Sequence, residues 1–284
     1  LIWYGGSNNE LVNITSLYAI PDNQWHHIAA TFDGTTVRLY VDGIEVNSAP
    51  AASPPTNTAN SFIIGADTAN YATTPLNYNF FNGAIQEVRV WDVALSESQI
   101  REMMNQHIED NTNVRGSETK INISGGLMWS NLLGYYPLDA NTADDSSSYG
   151  IDGIPQNMSS SQIVTAPLPY KTNGDSAWDT GSTWLNFIDM YLPNTVGIDG
   201  VTPIDWNIIH LTNNVSSGNR DIKVSALISE SGTLTMEGTT NMSTGEGTGH
   251  SLTITNYLEL DGIIDLQGES QLIQTEGSIL DADS

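Results

Sequence analysis

The stretch NQWHHIAATFDGTTVRLYVDG, residues 23–43, decides how the first part of this chain folds. Apolar side chains occupy alternate positions in residues 28–32 and again in residues 37–41, and Asp33-Gly34 lies between the two runs. Alternation with a period of two, joined by an Asp-Gly turn, is typical of a β-hairpin. The sequence therefore predicts two antiparallel strands here.

Two histidines, His26 and His27, follow Trp25 at the start of this stretch, in a chain with five histidines in all. Consecutive side chains on a regular strand point to opposite faces of the sheet. The two imidazoles are therefore not expected to bind one metal ion. Because His26 shares its parity with Ile28, we expect it at the edge of the core, and we assign the pair a structural role.

Further strands are predicted at residues 61–67 (SFIIGAD) and 83–92 (GAIQEVRVWD). In the second of these, Glu87 and Arg89 share the outward face and suit a cross-strand ion pair. Residues 68–82, which lie between the strands, are polar and aromatic, and this composition predicts a long loop.

That loop carries four aromatic residues that are candidates for carbohydrate binding. Aromatic rings exposed on a loop can stack on sugar rings, whereas the same residues can also pack over the edge of a sheet. The sequence favours packing, and both alternatives stay open at this point. The candidate carbohydrate-binding residues are Tyr71, Tyr78, Phe80 and Phe81.

One helix is predicted after the last of these strands. Ser96 and Gln99 have the spacing of a capping box, and apolar residues recur at helical spacing from Ile100 to Ile108. His107 is expected at the edge of this apolar stripe, which would pack on a sheet. The polar residues 109–131 are predicted to form a connecting arm.

The character of the sequence changes near Tyr170, where a segment rich in Pro, Gly and Asp predicts a domain boundary. Short β-rich runs follow, separated by Gly, Asn, Ser and Asp at an irregular spacing of roughly 20 residues or less. A sandwich and a parallel β-helix both contain short strands, and the closely spaced runs in residues 251–274 favour the β-helix. The predicted domains are 1–170 and 171–284.

The chain has 8 Lys and Arg against 33 Asp and Glu, a formal net charge of −25 and no cysteine. Such a charge repels nucleic acid and anionic membranes, so neither is an expected partner. The absence of cysteine excludes a disulfide framework, Cys-ligated zinc and a thiol nucleophile. No apolar run approaches the roughly 20 residues of a membrane span, so direct membrane insertion is not expected.

An acidic loop, LDANTADDSSSYGIDG at residues 138–153, is the best candidate for a ligand site. Its carboxylates, backbone carbonyls and serine hydroxyls are hard oxygen donors of the kind that Ca²⁺ prefers. A solvated acidic turn is an equally weighted alternative. The candidate metal ligands are Asp139, Asp144, Asp145 and Asp152.

Catalytic residues are not predicted. Retaining glycoside hydrolysis needs two carboxyl groups about 5 Å apart. The nearest candidates are Glu87 and the pair Glu259 and Asp261, which share a strand face. Neither set has a third carboxylate at the spacing of such hydrolases, and no Ser-His-Asp order, phosphate-binding loop or zinc motif occurs. The chain is therefore not expected to be an enzyme.

Three stretches resemble the LamG-like, concanavalin A-type jelly-roll family. They are residues 25–46 (WHHIAATFDGTTVRLYVDGIEV), 62–67 (FIIGAD) and 81–104 (FNGAIQEVRVWDVALSESQIREMM). The resemblance covers residues 20–108 and implies an all-β jelly-roll sandwich with one short helix at its C-terminal end. In this family the WHH motif is a signature of the fold.

A fourth stretch, residues 132–153 (LLGYYPLDANTADDSSSYGIDG), resembles a motif that begins the domain in the usual order of the family. Here it follows the helix. The resemblance therefore implies a permuted closing strand at 131–155 that pairs with residues 85–91, in a jelly roll incomplete at its N-terminus. Many LamG-like domains hold calcium near an equivalent loop, although Ser148 and Tyr149 here replace the Gly-Asn that is frequent in the family.

The whole arrangement is similar to the giant multidomain surface proteins of gliding and marine Bacteroidetes, in which LamG-like modules alternate with β-helical segments. This second resemblance rests on residues 177–186 (AWDTGSTWLN) and 191–211 (YLPNTVGIDGVTPIDWNIIHL). It implies that the chain is a fragment, whose β-helix is incomplete at its C-terminus, of a protein exported to the cell surface by type IX secretion.

The expected function is adhesion or the building of an extracellular filament, with carbohydrate binding as an additional expectation and Ca²⁺ as the cofactor. The expected partners are cell-surface glycans or other surface proteins. A homo-oligomer in an extracellular assembly is compatible with this role. The alternative is the non-catalytic part of a polysaccharide-degrading enzyme.

Overall fold

The computed structural model describes residues 2–3, 14–51, 62–71, 74–139, 142–156, 166 and 168–281. Strands dominate these residues, and Glu97–Met103 is the single α-helix among them. The predicted all-β class is therefore confirmed. No helix in the described ranges is long and apolar enough to cross a membrane.

The described residues up to 156 contain antiparallel strand pairs, and we call this part the antiparallel half. Two short 3-10 helices, Ser124–Gly126 and Trp129–Asn131, precede its last strand. In chain order the strands and the helix are β1 (Ile2–Trp3), β2 (Ile14–Thr15), β3 (Ile28–Phe32), β4 (Thr36–Val41), β5 (Ile44–Pro50), β6 (Asp67–Tyr71), β7 (Thr74–Tyr78), β8 (Val88–Trp91), α1 (Glu97–Met103), β9 (Ile108–Asn111), β10 (Asn113–Gly116) and β11 (Leu132–Tyr136).

The hairpin predicted within residues 23–43 is present. β3 pairs with β4 and β5 extends the sheet, while β1 pairs with β2. Val37, Leu39 and Val41 of β4 are fully buried in the first core cluster. Ile28 pairs with Val41 and lies on the same face, yet it is 41% exposed. The core does not extend to this end of β3, which is the edge strand of its sheet.

The loop predicted at residues 68–82 is wrong in its first part, because β6 and β7 form an antiparallel hairpin there. Its residues are mostly Asn, Thr, Ala and Tyr, so the segment lacks the alternation of apolar and polar side chains that indicates a half-buried strand. The structure therefore contains a hairpin that the sequence pattern does not reveal.

The segment after the helix returns to pair with the strand before it. β11 runs antiparallel to β8, with Leu132 opposite Trp91 and Tyr136 opposite Val88, and the register shifts at Leu133. This is the pairing that the out-of-order motif predicts for residues 131–155.

Helix α1 begins with the predicted capping box. The Ser96 side chain accepts from the Gln99 backbone, and the Gln99 side chain accepts from the Ser96 backbone. Ile100 and Met103 are the buried residues of the helix. The helix ends at Met103, so the predicted stripe does not continue to His107, which lies between the helix and β9.

The connecting arm predicted at residues 109–131 is also wrong. β9 and β10 form a hairpin, and Val114, Ile123, Leu127 and Trp129 are buried in a second core cluster together with residues of α1 and β11. Most residues of this segment are polar, and its few apolar side chains are too widely spaced to give a periodic pattern. They pack around backbone turns instead of lining one face of a strand.

From residue 168 onwards all but one of the strand pairs are parallel, and we call this part the parallel half. Two short 3-10 helices, Gly181–Thr183 and Phe187–Asp189, lie between its second and third strands. The strands are β12 (Tyr170–Lys171), β13 (Ser176–Ala177), β14 (Ile208–Leu211), β15 (Val215–Ser216), β16 (Ile222–Ser229), β17 (Thr233–Met236), β18 (Thr239–Thr240), β19 (Gly247–Thr248), β20 (Ser251–Leu260), β21 (Ile263–Leu266), β22 (Gln271–Gln274) and β23 (Ile279–Asp281).

The parallel strands pass repeatedly from one sheet to a second sheet, and we call each such pass a coil. One sheet has the order β12-β14-β16-β20, with β22 and β23 both paired to β20, and a second sheet has the order β13-β15-β17-β21. The apolar core between the sheets includes the fully buried Trp178 and Trp184. Parallel pairing agrees with the favoured β-helix, because sandwich sheets are antiparallel.

The coils bend at a polar corner within their longest strands. The register between β16 and β20 shifts between Val224 and Ala226, and the Asn256 amide donates to the Ser225 hydroxyl at 2.9 Å. Such a bulge turns a strand, so the two ends of β16 lie on different sides of the coil. The hydrogen bond satisfies both polar groups at this corner.

The spacing of the coils is irregular, as the sequence predicts, but some coils are longer than the predicted length. Tyr170, Ile209, Leu227, Leu258 and Leu280 occupy equivalent positions, so the coils differ in length. The additional residues of the longer coils form loops that project from the stacked strands. One of these is the β18–β19 hairpin, whose tip at residues 241–246 is exposed.

The two halves are in direct contact. Trp206 of the parallel half packs with Ile44 and Met104, and the Arg101 guanidinium carbon lies 3.8 Å from the centre of its ring. Gly43 has a φ of +79°, and a Cβ there would lie 2.9 Å from atoms of both Arg101 and Trp206. The turn between β4 and β5 therefore needs glycine for its conformation and for the close approach.

The first parallel strand, β12, lies at the position where the sequence predicts a domain boundary. The division into domains 1–170 and 171–284 stays a prediction.

Candidate functional sites

The four aromatic candidates do not lie in one row. Tyr71 ends β6 and Tyr78 ends β7, and the register places them at opposite ends of that hairpin. Phe80 and Phe81 follow directly after the hairpin and are 46% and 60% exposed. The backbone therefore groups Tyr78 with Phe80 and Phe81, and leaves Tyr71 at the other end.

Phe81 is held by two glycines. Its backbone N–H donates to the Gly65 carbonyl at 2.8 Å, and a Cβ on Gly83 would lie 2.6 Å from the Phe81 ring. The ring thus packs directly over the Gly83 backbone and remains largely exposed. Exposed, fixed aromatic rings are suited to stacking on another flat apolar surface.

The acidic loop is organised by Asp145, which is nearly buried. Its Oδ1 accepts from the Tyr135 and Ser147 N–H groups, and its Oδ2 accepts from the Ser147 hydroxyl and the Ile151 N–H, all at 2.9 Å. Burial opposes ionisation, but these hydrogen bonds outweigh it and lower the pKa of Asp145. Asp145 is therefore an acceptor that closes the loop.

The other predicted metal ligands are dispersed. Asp152 accepts from the Asp145 N–H at 2.9 Å, whereas Asp139 and Asp144 are exposed. The described part of the chain contains no group of three or more His, Asp or Glu side chains that could hold a metal ion. The conformation fits a hydrogen-bonded acidic turn better than an assembled cation site, and calcium binding stays a prediction.

Glu87 and Arg89 are not outward-facing, as the sequence predicts, but nearly buried, with side chains 11% and 8% exposed. Glu87 pairs with Arg89 and with His107 Nδ1 at 2.8 Å, and the Tyr135 hydroxyl donates to it at 2.9 Å. Arg89 also donates to the Met103 carbonyl at 2.9 Å. The ion pair therefore lies within one chain segment and fixes the end of helix α1.

Charge pairing sets the protonation of this network. Burial opposes the ionisation of Glu87, but its bonds to His107 and Arg89 outweigh this and lower its pKa. The hydrogen bond between Glu87 and His107 raises the pKa of His107. Both Glu87 oxygens are engaged, so this carboxyl is held as an ion and is poorly suited to act as a general acid.

The second candidate pair, Glu259 and Asp261, lies at the end of β20. Glu259 accepts from the Tyr257 hydroxyl at 3.0 Å, and Asp281 of the next coil accepts from the same hydroxyl at 3.0 Å. Asp261 lies beyond the end of β20, so it does not continue the strand face of Glu259 as the sequence predicts.

His26 and His27 lie at a cavity between the two halves, which has a volume of about 670 Å³ including its open mouth. Asp42 holds both residues: its Oδ1 accepts from the His27 N–H and its Oδ2 bonds His26 Nδ1, each at 2.8 Å. Both residues precede β3, so the strand parity behind the opposite-face expectation does not apply to them, and both line this cavity.

The two imidazoles differ electrostatically. Burial lowers the pKa of His26, but the hydrogen bond and the negative charge of Asp42 outweigh it and the net shift is upward. Burial, supported by the positive charge of Arg89, lowers the pKa of His27 to about 4. His27 is therefore neutral at neutral pH.

The cavity could not be recognised from the sequence. Its walls come from residues 25–27, 42, 86–87 and 104–105 of the antiparallel half, from residue 166, and from residues 168, 170, 191–192 and 204 of the parallel half. The only local signal is the WHH motif, which the fold alone explains. The contact between the halves creates the site, and no rule of sequence spacing predicts that contact.

Residues 1–101 match a laminin G-type family model described as the Concanavalin A-like lectin/glucanases superfamily. No curated protein matches. An S-layer domain-containing protein from Clostridium thermocellum, solved for its residues 221–444, is 29% identical over 32% of this chain and 43% of that chain, with a TM-score of 0.25. The chain therefore spans less than half of that solved structure. Over residues 1–101, the chain is similar to LamG-like domains of the concanavalin A-like superfamily, as the motifs in its first half predict.

Proposed function

We propose that this chain is part of a large secreted cell-surface protein that acts in adhesion or as an extracellular structural element and binds carbohydrate without cleaving it. The observation that carries the proposal is the match of residues 1–101 to a lectin-type family, combined with the exposed Phe80 and Phe81. The solenoid of the parallel half would supply length. Cell-surface glycans or other surface proteins, including further copies of the chain, are the proposed partners.

The charge of the chain bears on which glycans it would bind. The net charge of −25 favours neutral glycans over acidic ones, because like charges repel. Export by type IX secretion, as in Bacteroidetes surface proteins, belongs to the proposal and is supported by the resemblance within residues 177–211.

A glycan array combined with a turnover assay tests the proposal on the whole chain. We expect binding of neutral glycans and no release of shorter products. The double variant Phe80→Ala/Phe81→Ala should lose at least about tenfold in affinity, because aromatic stacking contributes on the order of 1 kcal/mol per ring. Phe187→Ala is the matched control, since Phe187 is 43% exposed but lies in the parallel half.

The outcomes separate the alternatives. Retained binding in the double variant would exclude the Phe80–Phe81 surface, and the absence of any glycan binding would leave a purely structural role. Cleavage of a glycan would contradict the proposal and favour a polysaccharide-degrading enzyme.

A further inference from the structure

The turn that follows β10 docks on the parallel half. We call residues 116–121 the docking turn. Its last residue, Ile121, packs against a cluster of buried side chains from β14, β16 and β20, namely Ile208, Ala226, Ile228 and Tyr257. These side chains alternate along their strands with those of the apolar core between the two sheets. The docking turn therefore covers the outer face of this sheet.

Hydrogen bonds to the end of helix α1 and the residues after it hold the docking turn in place. The Gln106 side-chain oxygen accepts from the backbone N–H groups of Glu118 and Thr119, both at 3.2 Å. The Ser117 N–H donates to the His107 carbonyl at 3.0 Å. Gln106 itself is buried. The backbone thus presents Glu118 to the parallel half in a fixed position.

His210 of β14 connects this turn to the parallel half. Its Nε2 lies 2.9 Å from Glu118 Oε2, and its Nδ1 lies 2.8 Å from Glu230 Oε1. Its side chain is only 12% exposed. No other ion pair between described residues joins the antiparallel half to the parallel half.

This geometry requires a proton on each ring nitrogen. A neutral imidazole has one N–H group and one lone pair, so it can donate to only one of the two carboxylates. Its other nitrogen would then direct a lone pair at a carboxylate oxygen within 3 Å. The imidazolium donates to both, and hydrogen bonds between charged groups are stronger than neutral ones. The contacts of Glu118 and Glu230 therefore fit the cationic form of His210.

Other charges near His210 do not change this assignment. Lys171 is its register partner in β12, Lys120 belongs to the docking turn, and Glu259 lies two strands away on the same face. The hydrogen bond from His210, supported by the positive charges of His210, Lys171 and Lys120, outweighs burial and lowers the pKa of Glu118. Glu118 is therefore an anion wherever histidine titrates, and His210 is the group whose charge changes.

We infer that His210 is a pH-sensitive latch between the two halves: its imidazolium ties Glu118 of the docking turn to the parallel half, and loss of one proton loosens the turn. A neutral His210 can keep one of its two hydrogen bonds, but the charge attraction across the contact is lost in either case. The stabilisation is present at pH values below the titration of His210 and is lost as the pH rises through it. The inference concerns the contact between the halves and does not depend on glycan binding.

The test compares the ring resonances of His210 with backbone hydrogen exchange of the docking turn, both by NMR on the whole chain from about pH 5 to about pH 9. The N–H groups of Gly116 and Lys120 bond within the turn and serve as reporters. After correction for the intrinsic effect of pH, their exchange should accelerate roughly fivefold or more, because a hydrogen bond to a charged group is lost. The acceleration should have the same midpoint as the titration of the His210 ring. The N–H groups of β16 are the internal reference.

Two variants remove one carboxylate each from the same imidazole. Glu118→Gln should leave the docking turn as weakly protected at low pH as the wild-type turn is at high pH. Glu230→Gln is the matched control, because Glu230 belongs to the same half as His210, and this variant should keep the turn protected at low pH. Both variants should move the titration of His210 to lower pH, since each carboxylate favours the imidazolium.

Three results would overturn the inference. These are exchange of the docking turn that does not follow the titration of His210, an unchanged titration of His210 in both variants, or equal loosening of the turn by Glu118→Gln and Glu230→Gln. If Glu118→Gln does not fold, the midpoints of ring titration and exchange in the wild-type chain decide the question.

Discussion

At the scale of single residues, adjacent positions have opposite electrostatic roles. His26 is stabilised as a cation by Asp42, whereas His27 is neutral because it is buried and near Arg89. The unfolded chain would titrate both near their ordinary pKa of about 6.5. Folding therefore takes up a proton at one imidazole and releases one at the other, in different ranges of pH.

The pH dependence of stability should reveal His27. Between pH 6.5 and about 4 the unfolded chain binds a proton at His27 that the folded chain does not, so stability falls as the pH falls through this window. The loss amounts to about 3 kcal/mol at its limit. We expect His27→Gln to remove it in denaturant melts at a series of pH values.

His26→Gln is the matched control for this experiment. The folded-state pKa of His26 is raised, so its contribution is fully present below pH 6.5 and is lost as the pH rises through the folded value. This variant should flatten the alkaline side of the profile and not the acidic side. An acid-side effect of equal size in both variants would contradict the assignment.

Arg89 is the residue whose loss should be most costly. Arg89→Met leaves the Glu87 carboxylate buried without its guanidinium and leaves the Met103 and Gln106 carbonyls without a donor. Removal of one partner of a buried ion pair costs about 3–5 kcal/mol. Chemical denaturation measures this loss.

The control for Arg89 is Arg38→Met, because Arg38 forms an ion pair with Asp33 at the surface. Its effect on the free energy of unfolding should be much smaller. A similar loss for both variants would mean that the burial of Arg89 has no energetic consequence.

At the scale of elements, turn and capping signals were reliable, whereas the strand predicted at residues 61–67 was wrong for residues 62–66, which lie before β6. The β3–β4 hairpin and the start of α1 follow from an Asp-Gly turn and a capping box, which involve neighbouring residues only. The outward assignment of Glu87 failed because alternation distinguishes two faces of a strand and does not say whether both are covered. The use of strand parity for His26 and His27 failed for a related reason, since parity applies only within a regular strand.

The acidic loop is an element whose function the sequence leaves open. Loss of the Asp145 acceptor should cost about 1–3 kcal/mol, because the donors of Tyr135 and Ile151 depend on it. Asp144, which is exposed, should not have such a structural effect. Melting temperatures of Asp145→Asn and Asp144→Asn in EDTA measure this difference.

Calcium binding is tested with the same variants. If the loop is a site, millimolar Ca²⁺ should raise the melting temperature. The free energy of unfolding should increase by about 2.7 kcal/mol at a hundredfold excess of Ca²⁺ over the dissociation constant. Asp144→Asn should reduce the shift in melting temperature. An equal shift with Mg²⁺, or a shift that survives both substitutions, would indicate charge screening or another site.

At the scale of the whole molecule, the contact around Trp206 joins the halves. Its ring contacts the β4–β5 turn through Gly43 and stacks on Arg101, and its N–H donates to the Met104 sulfur at 3.1 Å. We expect the two halves to unfold in one calorimetric transition. Trp206→Ala should lower stability by about 3–5 kcal/mol and separate the transition into two.

Trp129→Ala is the control, since Trp129 is buried within the antiparallel half only. It should lower the melting temperature without separating the transition. Two transitions in the wild-type chain would show that the halves fold independently. No sequence pattern predicts this contact, because Gly43 and Trp206 are distant in the chain and neither position has a periodic neighbour.

The β18–β19 hairpin shows where the parallel half can vary in length. The hairpin projects from the stacked strands between β17 and β20. Both β17 and β20 keep their parallel pairing with strands of the neighbouring coils. Added length at Thr244 would therefore extend into solvent, and loop tips of this kind tolerate insertions. A short epitope tag placed there would let an antibody report, on intact living cells, whether the parent protein is displayed outside.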